Sequence, residues 1–255
     1  FAPIRGWRRV VTIASMDVEN QDTHEYISHI GESRPYWRDI ILGVNDGLVS
    51  IFLLVVGVVG GGFDTAQVLL TAVAGALAGA VSMAAGEYLA TKSQDEILEA
   101  ELALERTHII HFKDQELEQL RGFFTDMGVG EVDLDGVIAG FENNDEAILN
   151  AMAALEFGVV ESERRSPYLA MAASGLLFLV GSLPSVVPFV LIDSTGTALI
   201  WATALSLAGL FLVGVVKARV AKSHWLQSGF ENMAIAGVGG VIAWAIGNAV
   251  GATLA

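Results

Sequence analysis

Residues 39–62 read DIILGVNDGLVSIFLLVVGVVGGG, and this stretch decides the class of the fold. Its only ionisable side chains are Asp39 and Asp46, and about 20 apolar residues are enough to carry a helix across roughly 30 Å of hydrocarbon. Four more stretches resemble it in length and apolarity, near 66–91, 167–192, 196–216 and 228–253. In lipid, each backbone N–H and C=O must be satisfied inside a helix or a closed barrel. None of the five stretches alternates polar and apolar residues as a barrel strand does. The expected class is all-α: a polytopic membrane protein with five transmembrane helices.

Composition agrees. Of 255 residues, 53% are hydrophobic and only 17% charged, with a mean hydropathy of +0.54. The absence of cysteine excludes disulfides, thiolate zinc sites and thiol catalysis. A net charge of −15 excludes a nucleic-acid partner, which needs a basic face to replace the counterions of the phosphates, and points to cationic cargo. All 14 basic residues obey one topology. Arg5, Arg8, Arg9, Arg34 and Arg38 precede the first span; six lie between spans two and three; Lys217, Arg219 and Lys222 lie between four and five. The loops around Asp64 and Asp193 have none, so the N-terminus is expected in the cytosol and the C-terminus outside or in a lumen, in a cell membrane or a vacuole-type membrane. Residues 1–35 read as a cytoplasmic arm without the apolar core of a signal peptide, and the opening Phe points to a trimmed chain.

The departure from a plain bundle lies between spans two and three. Residues 93–165 carry 18 Asp and Glu against five Lys and Arg, a local net of −13 out of the −15 of the whole chain. This reads as a cytoplasmic three-helix metal-binding insertion, with helices near 93–125, 131–142 and 145–163, set between spans 1–2 in 36–92 and spans 3–5 in 166–255. The turn signals are Met127-Gly128-Val129-Gly130 and Asn143-Asn144. No Gly or Pro interrupts the chain from Glu87 to Arg121, so the first of these helices is expected to continue out of span two.

On that helix Glu101, Glu105, His108, Phe112, Glu116 and Gln119 recur at helical spacing. Glu105-x-x-His108 is the ligand pair that di-iron carboxylate bundles use, and the third helix adds Met152 and Glu156, followed by Glu163. Carboxylate, imidazole and thioether together suit ferrous iron, manganese or zinc better than calcium. No organic cofactor is indicated. Within the spans each charge is a functional candidate, because a carboxylate in lipid is expensive. Asp46 sits a third of the way down span one, Asp39 at its mouth, and Glu87 four residues after Met83 near the cytoplasmic end of span two. Gly75 and Gly79, with Gly237, Gly239 and Gly240 in span five, mark close helix packing, while Pro184 and Pro188 are expected to kink or interrupt span three. Neither a Walker-type loop nor a nucleophile–base set is present.

Two motifs, RDIILGVNDGLVS over 38–50 and SMAAGEYLA over 82–90 running into Lys92-Ser93, resemble those of the vacuolar iron transporter family, and the likeness extends from about Arg38 to the end. The resemblance implies a homodimer whose first spans meet at the two-fold axis and line an iron pathway. It implies export of Fe2+ from the cytosol in exchange for protons, with Mn2+, Zn2+ and Co2+ as further cargo. The pathway aspartate and methionine would be Asp46 and Met83. A glutamate that some members carry eight residues before that methionine is Gly75 here, and Glu87 is the substitute carboxylate. In the insertion, Glu105, Glu116, Met152 and Glu156 fall on the family's metal-binding positions, whereas His108 and Gln119 replace glutamates. Two competing readings are a membrane-anchored di-iron oxidase or iron-storage-like enzyme, which an oxygen-consumption assay would separate, and a metal sensor, which would bind without flux.

Overall fold

The structure, a computed structural model, describes residues 34–158 and 165–254. The N-terminal arm as far as residue 33, and Glu163, lie outside the described residues. Eight helices follow one another: α1 Arg34–Gly60, α2 Thr65–His111, α3 Lys113–Asp126, α4 Glu131–Ala139, α5 Asp145–Leu155, α6 Pro167–Leu191, α7 Thr195–Val220 and α8 Trp225–Leu254. Five of them, α1, α2, α6, α7 and α8, are long and apolar enough to cross a membrane. The described residues contain no strand, and the chain is an integral membrane protein of all-α class.

Local signals account for the helix ends. Gly61 and Gly62, the latter at φ +85°, close α1. Asp64 starts α2 with a reciprocal capping box: its carboxylate accepts from the Gln67 N–H at 2.9 Å, and the Gln67 amide oxygen accepts from the Asp64 N–H at 3.1 Å. Proline opens α6, where the missing N–H would have had no partner. Contrary to the expected interruption, α6 runs on through Pro184 and Pro188, and Ser185 Oγ beside them pairs with Ser206 Oγ of α7 at 2.9 Å. A helix-to-helix hydrogen bond of this kind holds a proline-containing span together in lipid.

Packing relies on small residues, because lipid tails are as apolar as the side chains and burial alone drives no association. At the crossing of α1 and α6 a Cβ on Gly47 would run into the Phe178 carbonyl, and one on Gly181 into the Val44 carbonyl. Further along α1, Gly57 and Gly61 press against Gly247 and Gly251 of α8. Of the expected α8 glycines, Gly239 meets Leu53 and Gly240 meets Phe52, while a Cβ on Gly237 would meet no described atom within 4 Å. Ile51, Val55, Val68, Ala72, Ala76, Phe178 and Ala202 form the membrane core, and large apolar side chains such as Leu70, Val81, Leu176, Ile200 and Val241 point outward, as a lipid-facing belt requires.

The insertion differs from the expected three helices. Helix α2 does continue out of the membrane, over 47 residues in all, about 70 Å of unbroken helix. It then breaks at Phe112, at φ −136° and ψ 34°, with no Gly or Pro to force it. Tertiary burial is the reason. The reversal brings Leu120 of α3 back beside Ile109 of α2, and both join Ile138, Ile148 and Met152 in a separate apolar core. Helix α4 ends at Ala139 and α5 at Leu155, both earlier than expected. The two turn signals stand where they were read. Gly128 at φ +93° closes α3 through paired bonds, Gly128 N–H to Thr125 O at 2.9 Å and Val129 N–H to Phe124 O at 3.0 Å. Asn144 caps α5 by accepting from the Ala147 N–H at 3.0 Å.

Candidate functional site

In the insertion, the break at Phe112 folds Glu116 back onto the end of α2. His108 Nδ1 lies 3.9 Å from Glu105 Oε2 and 3.4 Å from Glu116 Oε1, and one ligand atom from each of the three residues falls within 4.8 Å of the others. Glu105 and Glu116 are buried, with 4% and 7% of their surface exposed. Among the described residues no Lys or Arg pairs with either of them, and Glu105 Oε1 has no hydrogen-bond partner. Burial, then the charges of Glu116 and Glu156, push the Glu105 carboxyl up to about 7. Two buried carboxylates, one of them with an orphaned oxygen, and an imidazole are a donor set that can hold a divalent cation.

The other insertion candidates separate. Glu101 and Gln119 are exposed and stand outside the three-residue cluster. Glu156 caps α5, exposed but near enough for its charge to act on Glu105. Met152 has no exposed surface and packs among isoleucines and leucines of the insertion core.

In the membrane, Asp46 and Met83 come together. They line one cavity of 410 Å³ with Ser50, Leu54, Gly75 and Phe178 as neighbours. Ser50 Oγ donates to Asp46 Oδ1 at 3.1 Å, one turn along α1, an orienting partner that the i, i+4 spacing could have revealed. Gly75, where the resemblance leads one to look for a glutamate, lines the same cavity, and a Cβ there would press on the Leu54 side chain.

Asp39 and Glu87 form a second group, away from that cavity. Arg165, two residues before the start of α6, bridges them: its Nη1 reaches Asp39 Oδ2 and its Nη2 lies 3.3 Å from Glu87 Oε1. Arg38 adds a contact of 3.3 Å to Asp39 Oδ1 and one of 3.8 Å to Glu87 Oε1. Sequence reading counted Arg165 only as an orientation marker; nothing local connects it to a carboxylate 126 residues away.

Against known proteins, a family profile described as the VIT family matches residues 37–248, which contain every candidate above. The chain belongs to the VIT family. Among VIT-family relatives, Vacuolar iron transporter 2 of Oryza sativa subsp. japonica is 30% identical over 213 residues, covering 84% of this chain and 87% of that protein. Vacuolar iron transporter 1 of Arabidopsis thaliana is 27% identical, covering 84% and 85%. The Vacuolar iron transporter of Toxoplasma gondii is 25% identical over 244 residues, covering 92% and 81%. All three relatives bear the names of transporters, not of enzymes.

Proposed function

We propose that this VIT-family protein moves ferrous iron out of the cytosol across a vacuole-type or cell membrane in exchange for protons, with Mn2+, Zn2+ and Co2+ as competing cargo. The observation that carries the reading is the convergence of Asp46 and Met83, from two different spans, on one open pocket in the membrane bundle. A carboxylate and a thioether together replace part of the hydration shell of a borderline divalent ion, and a lone intramembrane carboxylate is the ordinary mark of an ion or proton path.

In this reading the insertion is cytosolic, in line with the distribution of basic residues. Its excess negative charge concentrates cations near the membrane mouth, and Glu105, His108 and Glu116 hold the captured ion, with Glu156 and Met152 on the adjacent helix α5. The ion passes to Asp46 and Met83. Protonation of Asp46 from the far side then removes the charge that holds it. A second copy of the chain, meeting this one along α1, completes the path as a homodimer.

Proteoliposomes loaded with a pH indicator test this directly. Ferrous iron flux that depends on a proton gradient, with protons moving the opposite way, is the expected result. Metal binding without flux would favour a sensor, and catalytic oxygen consumption with ferrous iron an oxidase.

A further inference from the structure

The ion-pair group at the mouth of the bundle has no place in the capture and passage steps above, yet it lies in line with them. Asp39 and Asp46 are seven residues apart on α1, on the same side of the helix and about 10 Å apart along its axis. Glu87 and Met83 are one turn apart on one side of α2. The two helices therefore carry two successive rungs: Asp46 with Met83 at the cavity, and Asp39 with Glu87 nearer the insertion. A cation travelling from the insertion to the cavity meets the outer rung first. That rung already holds a cation, the Arg165 guanidinium.

Arg165 is well placed for this. Its side chain is 11% exposed, against 61% for Arg38, so it is the buried neutraliser of Asp39 and Glu87, whose side chains are 6% and 16% exposed. A planar guanidinium can face two carboxylates at once through separate nitrogens, and a lysine ammonium cannot do so in the same geometry. If it leaves, the two carboxylates keep only the solvent-exposed Arg38 as a counter-charge, a state that favours replacement of Arg165 by another cation. A small cavity of 150 Å³ lined by Asp39, Arg165, Ser166, Leu169 and Ala170 leaves the side chain room to withdraw. Arg165 also stands one residue ahead of Ser166, the N-cap of α6, and α6 supplies Phe178 to the Asp46 pocket.

We propose that Arg165 is a tethered competitor of the cargo: it occupies the Asp39–Glu87 rung at rest, and a divalent cation advances only by displacing it. The inference rests on the transport reading and adds a latch to it. Such a latch keeps the path closed to cations when cytosolic metal is scarce, because the tethered guanidinium is always at hand.

The test is Mn2+ flux into proteoliposomes carrying the full chain, for wild type, Arg165→Gln, Arg165→Lys and the double variant Arg165→Gln with Glu87→Gln. Removing the competitor should lower the half-saturating Mn2+ concentration by about fivefold or more, and removing Glu87 as well should return it toward the wild-type value. Arg165→Lys keeps the charge and guards against a folding defect; it should lower half-saturation by about twofold, since it cannot bridge both carboxylates. A folded Arg165→Gln or Arg165→Lys protein with wild-type half-saturation would overturn the latch. If the wild type itself shows no flux, it is the transport reading that fails. The latch is then decided by calorimetry on the detergent-purified chain, where Arg165→Gln should bind one more Mn2+ than wild type and lose it again with Glu87→Gln; equal stoichiometry would overturn it.

Discussion

Two places in this molecule draw a pair of carboxylates wholly or partly out of solvent, and they treat the resulting charge in opposite ways. In the insertion, Glu105 and Glu116 face one another across His108 with no Lys or Arg paired to them among the described residues, and the Glu105 carboxyl is driven up to about 7. At the mouth of the bundle, Asp39 is buried and Glu87 partly buried, and they share Arg165 and the more exposed Arg38. A buried carboxylate that lacks an internal partner either takes up a proton or waits for a cation from outside. One that has an arginine is already satisfied. In the proposed reading the first pair is the metal site at rest, and the second is occupied by the protein itself.

The largest expected effect separates both pairs from the membrane cavity. Replacing Asp46 by Asn should reduce flux to that of empty liposomes while Mn2+ binding by the insertion persists; flux near the wild-type level would remove Asp46 from the path. Next in size, replacing Glu105 and Glu116 together by Ala should weaken metal binding by about 100-fold in calorimetry on the full chain, with much less effect from the exposed Glu101 and Gln119. Unchanged affinity would mean that the cluster is a structural feature only.

The protonation of Glu105 gives a third contrast. Its folded value of about 7 stands above the ordinary 4.5, so between those two values the folded chain holds a proton that the unfolded chain has released. Metal-free stability should therefore fall as pH rises through this window, and Glu105→Gln should flatten the slope in thermal melts. Metal binding has the opposite sign: because the ion competes with that proton, affinity at pH 6 should be about tenfold lower than at pH 8. The smallest effect is that of Met152→Leu. With no exposed surface and an apolar environment, Met152→Leu should cost less than about 1.5 kcal/mol, whereas Met152→Ala should cost about 2–5 kcal/mol by leaving a cavity. Chemical denaturation read by circular dichroism distinguishes the two.

Much of this was legible in the residues. The spans follow from lengths of apolar sequence, the uninterrupted emergence of α2 from the absence of Gly and Pro, and the turns from Gly128 and Asn144. Asp46 and Met83 stood out because polar or polarisable groups within a span need a reason to be there. The break at Phe112 was not legible, since its cause is the burial of Leu120 against Ile109, Ile138 and Ile148, a gain that no local propensity reports. One helix face was expected to hold Glu105, His108 and Glu116; the cluster instead spans two helices, and its upward-shifted carboxyl depends on that fold-back.

By itself, then, the sequence determined that this chain crosses a membrane five times, that its acidity is concentrated in one insertion, and which donor types it offers to a metal. These are properties of composition and short-range periodicity, which hydrophobic length and local capping convert directly into helices. Tertiary structure alone decided which carboxylates are partnered. Arg165 lies 126 residues from Asp39 and 78 from Glu87 in the chain, and only the packing of α6 against α1 and α2 brings its guanidinium to them. Charge compensation acts over a few ångströms of space, whatever the separation along the chain.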